Sequence, residues 1–144
     1  MKVILYVKTI SGTEFHKACK QAEVELAKDV MKDTRLFVPA KTGVFSNNTR
    51  VDKNEVVYTG DQVHYLWRGR VMVNRETGKG PMYIPGVGLR YKKGTKLIET
   101  DRNLVFTTDM HSKAQSRWME ASYAKNAEKW AGDAERAVKR FLGE

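Results

Sequence analysis

A single α+β domain is the architecture the sequence predicts: a small mixed or antiparallel sheet packed against an N-terminal helix and a long C-terminal helix, with a long projecting loop or hairpin. Two observations predict it. Apolar residues recur at helical spacing near each end of the 144-residue chain. Between those ends lie short β-branched and aromatic runs punctuated by Gly, Pro and Asn. The length suits one domain with a core of its own, and no linker divides residues 1–144.

The elements follow in order. Residues 2–9, KVILYVKT, have strand composition. Ser11 with Glu14 three places on has the form of a capping box. The stripe Phe15, Ala18, Cys19, Ala22, Leu26 and Val30 then marks an amphipathic helix over about 12–32, its outer face alternating Lys with Glu and Asp. After a loop containing Pro39 and Gly43, a hairpin is expected with strands near 46–51 and 55–59 around the turn Asp52-Lys53-Asn54. Gly60-Asp61 opens a short helical turn, which Gly69 ends as a C-cap. Residues 70–96 form a glycine-rich connection in which VMVN and MYIP have strand-like composition, and NLVFTT, 103–108, reads as the next strand. From Ser112 to about Phe141, the apolar series Ala114, Trp118, Ala121, Ala127, Trp130, Ala134, Val138 and Phe141 predicts a helix roughly 45 Å long. Asp109 or Ser112 would cap it, with His111 on the surface and Trp118 and Trp130 in the core.

The composition excludes several classes. At 41% hydrophobic and 30% charged residues the chain is neither disordered nor fibrous. No apolar run reaches the roughly 18–20 residues of a membrane span, and MKVILYVKTI lacks a small-residue cleavage site, so no membrane partner and no signal peptide are expected. One cysteine, Cys19, rules out an internal disulfide, and its place on the apolar stripe suits a buried thiol. The net charge of +9 is uneven: residues 75–96 hold six basic side chains and one acidic, a local +5, while the remainder carries +4. A local excess on one loop suggests a specific contact more than general attraction to polyanions.

The stretch 78–96, GKGPMYIPGVGLRYKKGTK, contains five glycines and two prolines but fits neither phosphate-binding motif. A P-loop requires G-x-x-x-x-G-K-[ST], whereas Lys79 is followed by Gly80 and Gly94 by Thr95-Lys96. Gly86-x-Gly88 lacks the third glycine of a dinucleotide loop, and Pro81 and Pro85 remove N–H donors that an anion nest would need. Asp61, His64, Asp109 and His111 would be the residues of a nuclease-like site, but no recognised metal or nucleophile motif accompanies them. The sequence therefore offers no catalytic residue, no metal ligand set and no cofactor. Two binding readings remain. The apolar patch Met82, Tyr83, Ile84 and Pro85 would anchor on an adjacent subunit or partner. The basic side chains Lys79, Arg90, Lys92, Lys93 and Lys96, interleaved with Tyr83 and Tyr91, would contact DNA or an acidic partner. On the second reading alone the chain is a small basic nucleic-acid-binding protein using the 75–96 loop.

Several stretches, taken in order, resemble the minor capsid proteins of tailed phages that infect Gram-positive bacteria, a group related to head–tail joining and tail-completion proteins. That family's pattern is a helix, an aspartate and "YVP-x-x-TG-x-L", a hairpin, "YA" with aromatics ending in glycine, a strand, and "A-x-x-x-W" opening a helix. The corresponding stretches are Asp33 to Phe45, His64-Tyr65-Leu66-Trp67-Arg68-Gly69, Asn103 to Thr107, and Ala114-Gln115-Ser116-Arg117-Trp118. Phe37, Phe45 and Leu66 depart from the usual tyrosine, leucine and alanine. The resemblance implies a non-enzymatic α+β subunit of the virion neck, made in the host cytoplasm. It would assemble as a ring of six or twelve copies with head-closure, tail-terminator or connector proteins, around a passage for double-stranded DNA.

Overall fold

The computed structural model describes residues 1–7, 13–39, 49–60, 63–86 and 88–143. It is an α+β fold, as the two helical stripes and the strand-rich middle predict. Strand β1 is Lys2–Ile4 and helix α1 is Thr13–Thr34, followed by a 3₁₀ turn at Arg35–Phe37. Strands β2, Thr49–Asp52, and β3, Glu55–Tyr58, form the expected hairpin, and the turn between them has Lys53 at a φ of 54°. Helix α2 is Val63–Arg68. Strands β4, Arg70–Asn74, β5, Met82–Ile84, β6, Gly88–Arg90, and β7, Leu97–Asn103, come next, and helix α3, Trp118–Phe141, closes the chain. Ser11, Asp61 and the stretch Lys41 to Asn48 lie outside the described residues.

All strand pairs are antiparallel. β3 is the centre of a three-stranded sheet ordered β1-β3-β2; its Val56, Val57 and Tyr58 are all buried. β4 pairs with β7 and β5 with β6 as separate two-stranded ladders.

α1 and α3 pack on each other and on the first sheet. The α1 stripe works as its spacing requires: Ala18, Cys19, Ala22 and Val30 are buried, and Cys19 is a free thiol. Small residues at the contact let the helices approach closely. Between them Thr34 Oγ1 and Ser122 Oγ lie 2.7 Å apart, both fully buried, so each hydroxyl satisfies the other. Asp33 Oδ2 accepts from the Trp130 indole at 2.8 Å and from Lys129 Nζ at 2.7 Å, while Arg140 pairs with Glu25. Trp118 and Trp130 are core residues, as expected.

Four expectations are corrected. The last helix begins at Trp118, not Ser112, so at 1.5 Å per residue it is about 36 Å long. Residues 111–115 are drawn into tertiary pairing instead: the Lys113 and Gln115 N–H groups donate to the Leu36 and Phe37 carbonyls at 3.1 Å each. The cap position is consequently Arg117, left-handed with φ 49°, and neither Asp109 nor Ser112 caps the helix. His111 is buried, its Nδ1 2.6 Å from the Val38 carbonyl oxygen. Finally, the strand read at 103–108 ends where it was expected to begin. β7 uses the polar run LIETDRN, and Val105 beyond it is almost fully exposed.

Candidate functional site: a basic hairpin with an apolar tip

Residues 70–103 form one hairpin set into the loop of another. The outer hairpin, β4 with β7, is in register at Met72↔Glu99, Val73↔Ile98 and Asn74↔Leu97, with an irregularity between Arg70 and Met72. The Thr100 hydroxyl ties the two strands by donating to the Val71 carbonyl at 2.7 Å. At the far end the chain turns sharply at Asn74. Its Oδ1 accepts from the Glu76 N–H at 2.8 Å, its own N–H donates to the Lys79 carbonyl at 2.8 Å, and Gly78 takes a φ of 68°. Asn-type side chains close turns of this kind, and glycine takes the left-handed position without a Cβ clash.

The inner hairpin, β5 with β6, pairs Met82↔Arg90, Tyr83↔Leu89 and Ile84↔Gly88, and Pro85 and Gly86 begin its turn. VMVN and MYI are strands, as their composition suggests, but they pair with β7 and β6 and not with each other. Every residue of β5 is exposed: Met82 65%, Tyr83 70% and Ile84 41%, with Pro85 exposed beside them. Four adjacent apolar residues thus face outward. Lys79, Arg90, Lys92, Lys93 and Lys96 are exposed as well. No ion pair joins Lys79, Lys92, Lys93 or Lys96 to another described residue. Tyr91 differs from Tyr83: its hydroxyl donates to the Met72 carbonyl at 2.6 Å, and burial, with Tyr65 nearby, raises its phenol above the usual range. It fastens the inner hairpin to the outer one.

Opposite in character is a groove of about 840 Å³ between β1, α1 and α3, lined by Val3, Leu5, Leu26, Val30, Trp67 and Trp130 among others. β1 is an edge strand, and all of residues 1–7 line the groove. Tyr123 stands on its α3 side, 62% exposed.

The described parts of the stretches singled out by their resemblance meet at one place. Gln115 donates its N–H to Phe37, Arg117 to Trp67 at 3.2 Å, and Leu104 to Gly69 at 2.8 Å. Trp118 is wholly buried at the centre, edge-to-face with Trp67 at 4.9 Å and with Tyr58 at 5.5 Å between ring centroids. Desolvation in this cluster pushes the Tyr58 phenol far above its usual range, with the neighbouring Trp118 indole acting in the other direction. These residue types are therefore explained by folding: they fix the start of α3 against α2 and the 3₁₀ turn.

Of the nuclease-type residues Asp61, His64, Asp109 and His111, Asp61 lies outside the described residues. His64 is exposed and rests against Tyr65, and His111 is engaged with Val38. Among the described residues no group of three or more His, Cys, Asp and Glu is placed to hold a metal ion. No described helix is long and apolar enough to cross a membrane. A smaller polar pocket of about 440 Å³ lined by Arg68, Arg70, Glu99 and Arg117 was not anticipated from the sequence. Compared with protein-family models, curated proteins and solved structures, the chain finds no match.

Proposed function

We propose that this chain is a structural protein of a phage neck, assembling as a ring of six or twelve copies at the head–tail interface around the DNA passage. The observation that carries the proposal is the inner hairpin: Met82, Tyr83, Ile84 and Pro85 stand exposed together at the end of a basic arm. A contiguous apolar patch held away from the core is a surface for a partner. The same chain also presents an open apolar groove beside an unpaired strand edge, a surface unlike the arm. Head-to-tail contacts that join two unlike surfaces of identical copies form rings when the rotation between copies closes, and open filaments when it does not. In such a ring the arm of one copy reaches its neighbour or another neck protein, such as a head-closure, tail-terminator or connector protein. The lysines then set orientation and partner choice.

The ordered resemblance of four stretches to the minor capsid family supports the same function. A second function is favoured by one observation. The ammonium groups of Lys79, Lys92, Lys93 and Lys96 make no ion pair among the described residues, leaving them free to face double-stranded DNA, with Arg90 exposed among them. Deleting residues 78–94 tests the proposal. The turn can close through Arg75, Glu76, Thr77, Thr95 and Lys96, so the protein should fold yet fail to join heads to tails in a reconstituted assembly reaction. Joining by the deletion variant would refute the role of the arm.

A further inference from the structure

We infer that the pocket between Arg68, Arg70, Glu99 and Arg117 is a binding site for a phosphate group, separate from the lysines of the arm. The three arginines come from the end of α2, the start of β4 and the start of α3, and specific contacts gather them. Arg117 donates its N–H to the Trp67 carbonyl at 3.2 Å, and Leu104 donates to the Gly69 carbonyl at 2.8 Å. Gly69 and Ser116 touch so closely that a Cβ on Gly69 would lie 2.6 Å from the Ser116 Cβ. The residue after Ser116 is then held left-handed, at φ 49° without being glycine, and this conformation presents Arg117 to the pocket. A non-glycine residue in that region is uncommon and persists where the surroundings over-determine it.

The charge is unbalanced. Glu99 is the one carboxylate among the four lining residues, and it is taken by Arg68 in a two-pronged pair, Nε to Oε1 at 2.8 Å and Nη2 to Oε2 at 2.9 Å. Arg70 has neutral acceptors: its Nη1 donates to the Asp101 carbonyl at 2.9 Å and to Asn103 Oδ1 at 2.8 Å. Arg117 reaches Glu120, which is outside the pocket, at 3.2 Å. Three guanidinium groups against the two carboxylates Glu99 and Glu120 leave one net positive charge, at Arg70, whose acceptors are neutral. Guanidinium forks match the oxygen edges of a phosphate two at a time, so Arg70 and Arg117 have the chemistry to clamp one, with Arg68 held in place by Glu99. A volume of about 440 Å³ accommodates the group with part of what it is attached to. Its source is either a nucleic-acid backbone or free phosphate.

The site does not require ring assembly and is tested on the full chain in solution, with inorganic phosphate and a short DNA duplex as the two probes. Calorimetric titration of wild type should show binding of at least one probe. Arg70→Gln and Arg117→Gln should each weaken that binding about tenfold or more, as expected for a charge-assisted contact. Arg70→Lys, which keeps the charge, should retain part of the affinity and controls for folding. Glu99→Gln should strengthen binding, whereas a purely structural role for Arg68–Glu99 predicts no gain. If the source is nucleic acid, the double variant Arg70→Gln/Arg117→Gln lowers the slope of log affinity against log salt by about one, the single phosphate lost. If the source is free phosphate, duplex binding is unaffected and phosphate binding is lost. The site is overturned if wild type binds neither probe. It is equally overturned if binding is indifferent to Arg70 and Arg117 but lost on replacing Lys79, Lys92 and Lys93 with Gln. Neither result bears on arm-mediated assembly, which is read from head–tail joining.

Discussion

Gly69 and Ser116 stand in contact so close that no side chain fits between them: a Cβ built on Gly69 falls 2.6 Å from the Ser116 Cβ and 2.9 Å from its Oγ. Gly69 also has a φ of 70°, where a side chain is strained in any case. This one contact seats the end of α2 against the entry to α3, and through Arg117 and Trp118 it orders both the aromatic cluster and the arginine pocket. Gly69→Ala should therefore cost about 2–4 kcal/mol, combining left-handed strain with overpacking. Urea unfolding measures it, and Ser116→Gly in the same chain should restore the overpacking share. A loss under 1 kcal/mol would show that the contact relaxes freely.

The helix pair depends on a buried hydroxyl pair. Thr34→Val should cost about 1–3 kcal/mol, because the Ser122 hydroxyl loses its nearest partner in a site closed to water. Asn126 Nδ2, 3.2 Å from Ser122 Oγ, keeps one bond to it and holds the loss toward the lower end. The double variant Thr34→Val/Ser122→Ala should recover part of the loss. A double-mutant cycle with no coupling would contradict the pairing.

Two carboxylates at the α1–α3 seam should respond to pH in opposite senses. Burial, and then Asp133 nearby, raises Asp29 above the ordinary aspartate value; Asp33 and Glu25 add to the effect and Lys129 opposes it. Its protonated form is favoured in the fold, so its contribution is fully present below the unfolded pKa and is lost as pH rises through the folded one. Asp133 is the reverse: burial opposes ionisation, but Lys129 and Arg136 together hold it below the ordinary value. Its contribution is present above the unfolded pKa and lost as pH falls through the folded one. Thermal melts should show Asp29→Asn raising Tm at pH 7, with the gain vanishing below about pH 4. Asp133→Asn should lower Tm at pH 7 and converge on wild type in acid. The opposite ordering would contradict the assignment.

Much of this fold was legible in the sequence, and the parts that were not share a cause. α1, the β2–β3 hairpin and the Gly69 cap follow from local pattern, since stripe spacing, a two-residue turn and a lone glycine each act on their own neighbours. Residues 112–117 look helical by composition, but their backbone is claimed by Leu36 and Phe37 far away in sequence, so tertiary pairing displaces the helix start. β7 is polar along most of its length because it lies in an exposed ladder, and apolar content pointed instead to the coil after it. Of the site, the apolar tip and the exposed lysines could be read from residues 79–96. The arginine pocket could not, because Arg117 joins Arg68 and Arg70 only through the fold; the sole local hint is the arginine pair flanking Gly69.

The arm's apolar tip should matter for association and not for folding. Replacing Met82, Tyr83 and Ile84 with Ser should change stability by no more than about 0.5 kcal/mol per site, since these side chains are largely exposed. A larger loss, measured by denaturant unfolding, would mean that the tip packs on its own chain.

The central claim is that the arm joins copies of this chain into a ring. Native mass spectrometry of the purified protein, with electron microscopy of the same sample, tests it most directly. Wild type at rising concentration, or beside its neck partners, should give closed assemblies of six or twelve copies, and the Met82→Ser/Tyr83→Ser/Ile84→Ser variant should remain monomeric. A wild-type chain that stays monomeric under all these conditions while binding duplex DNA tightly and salt-dependently would contradict the claim.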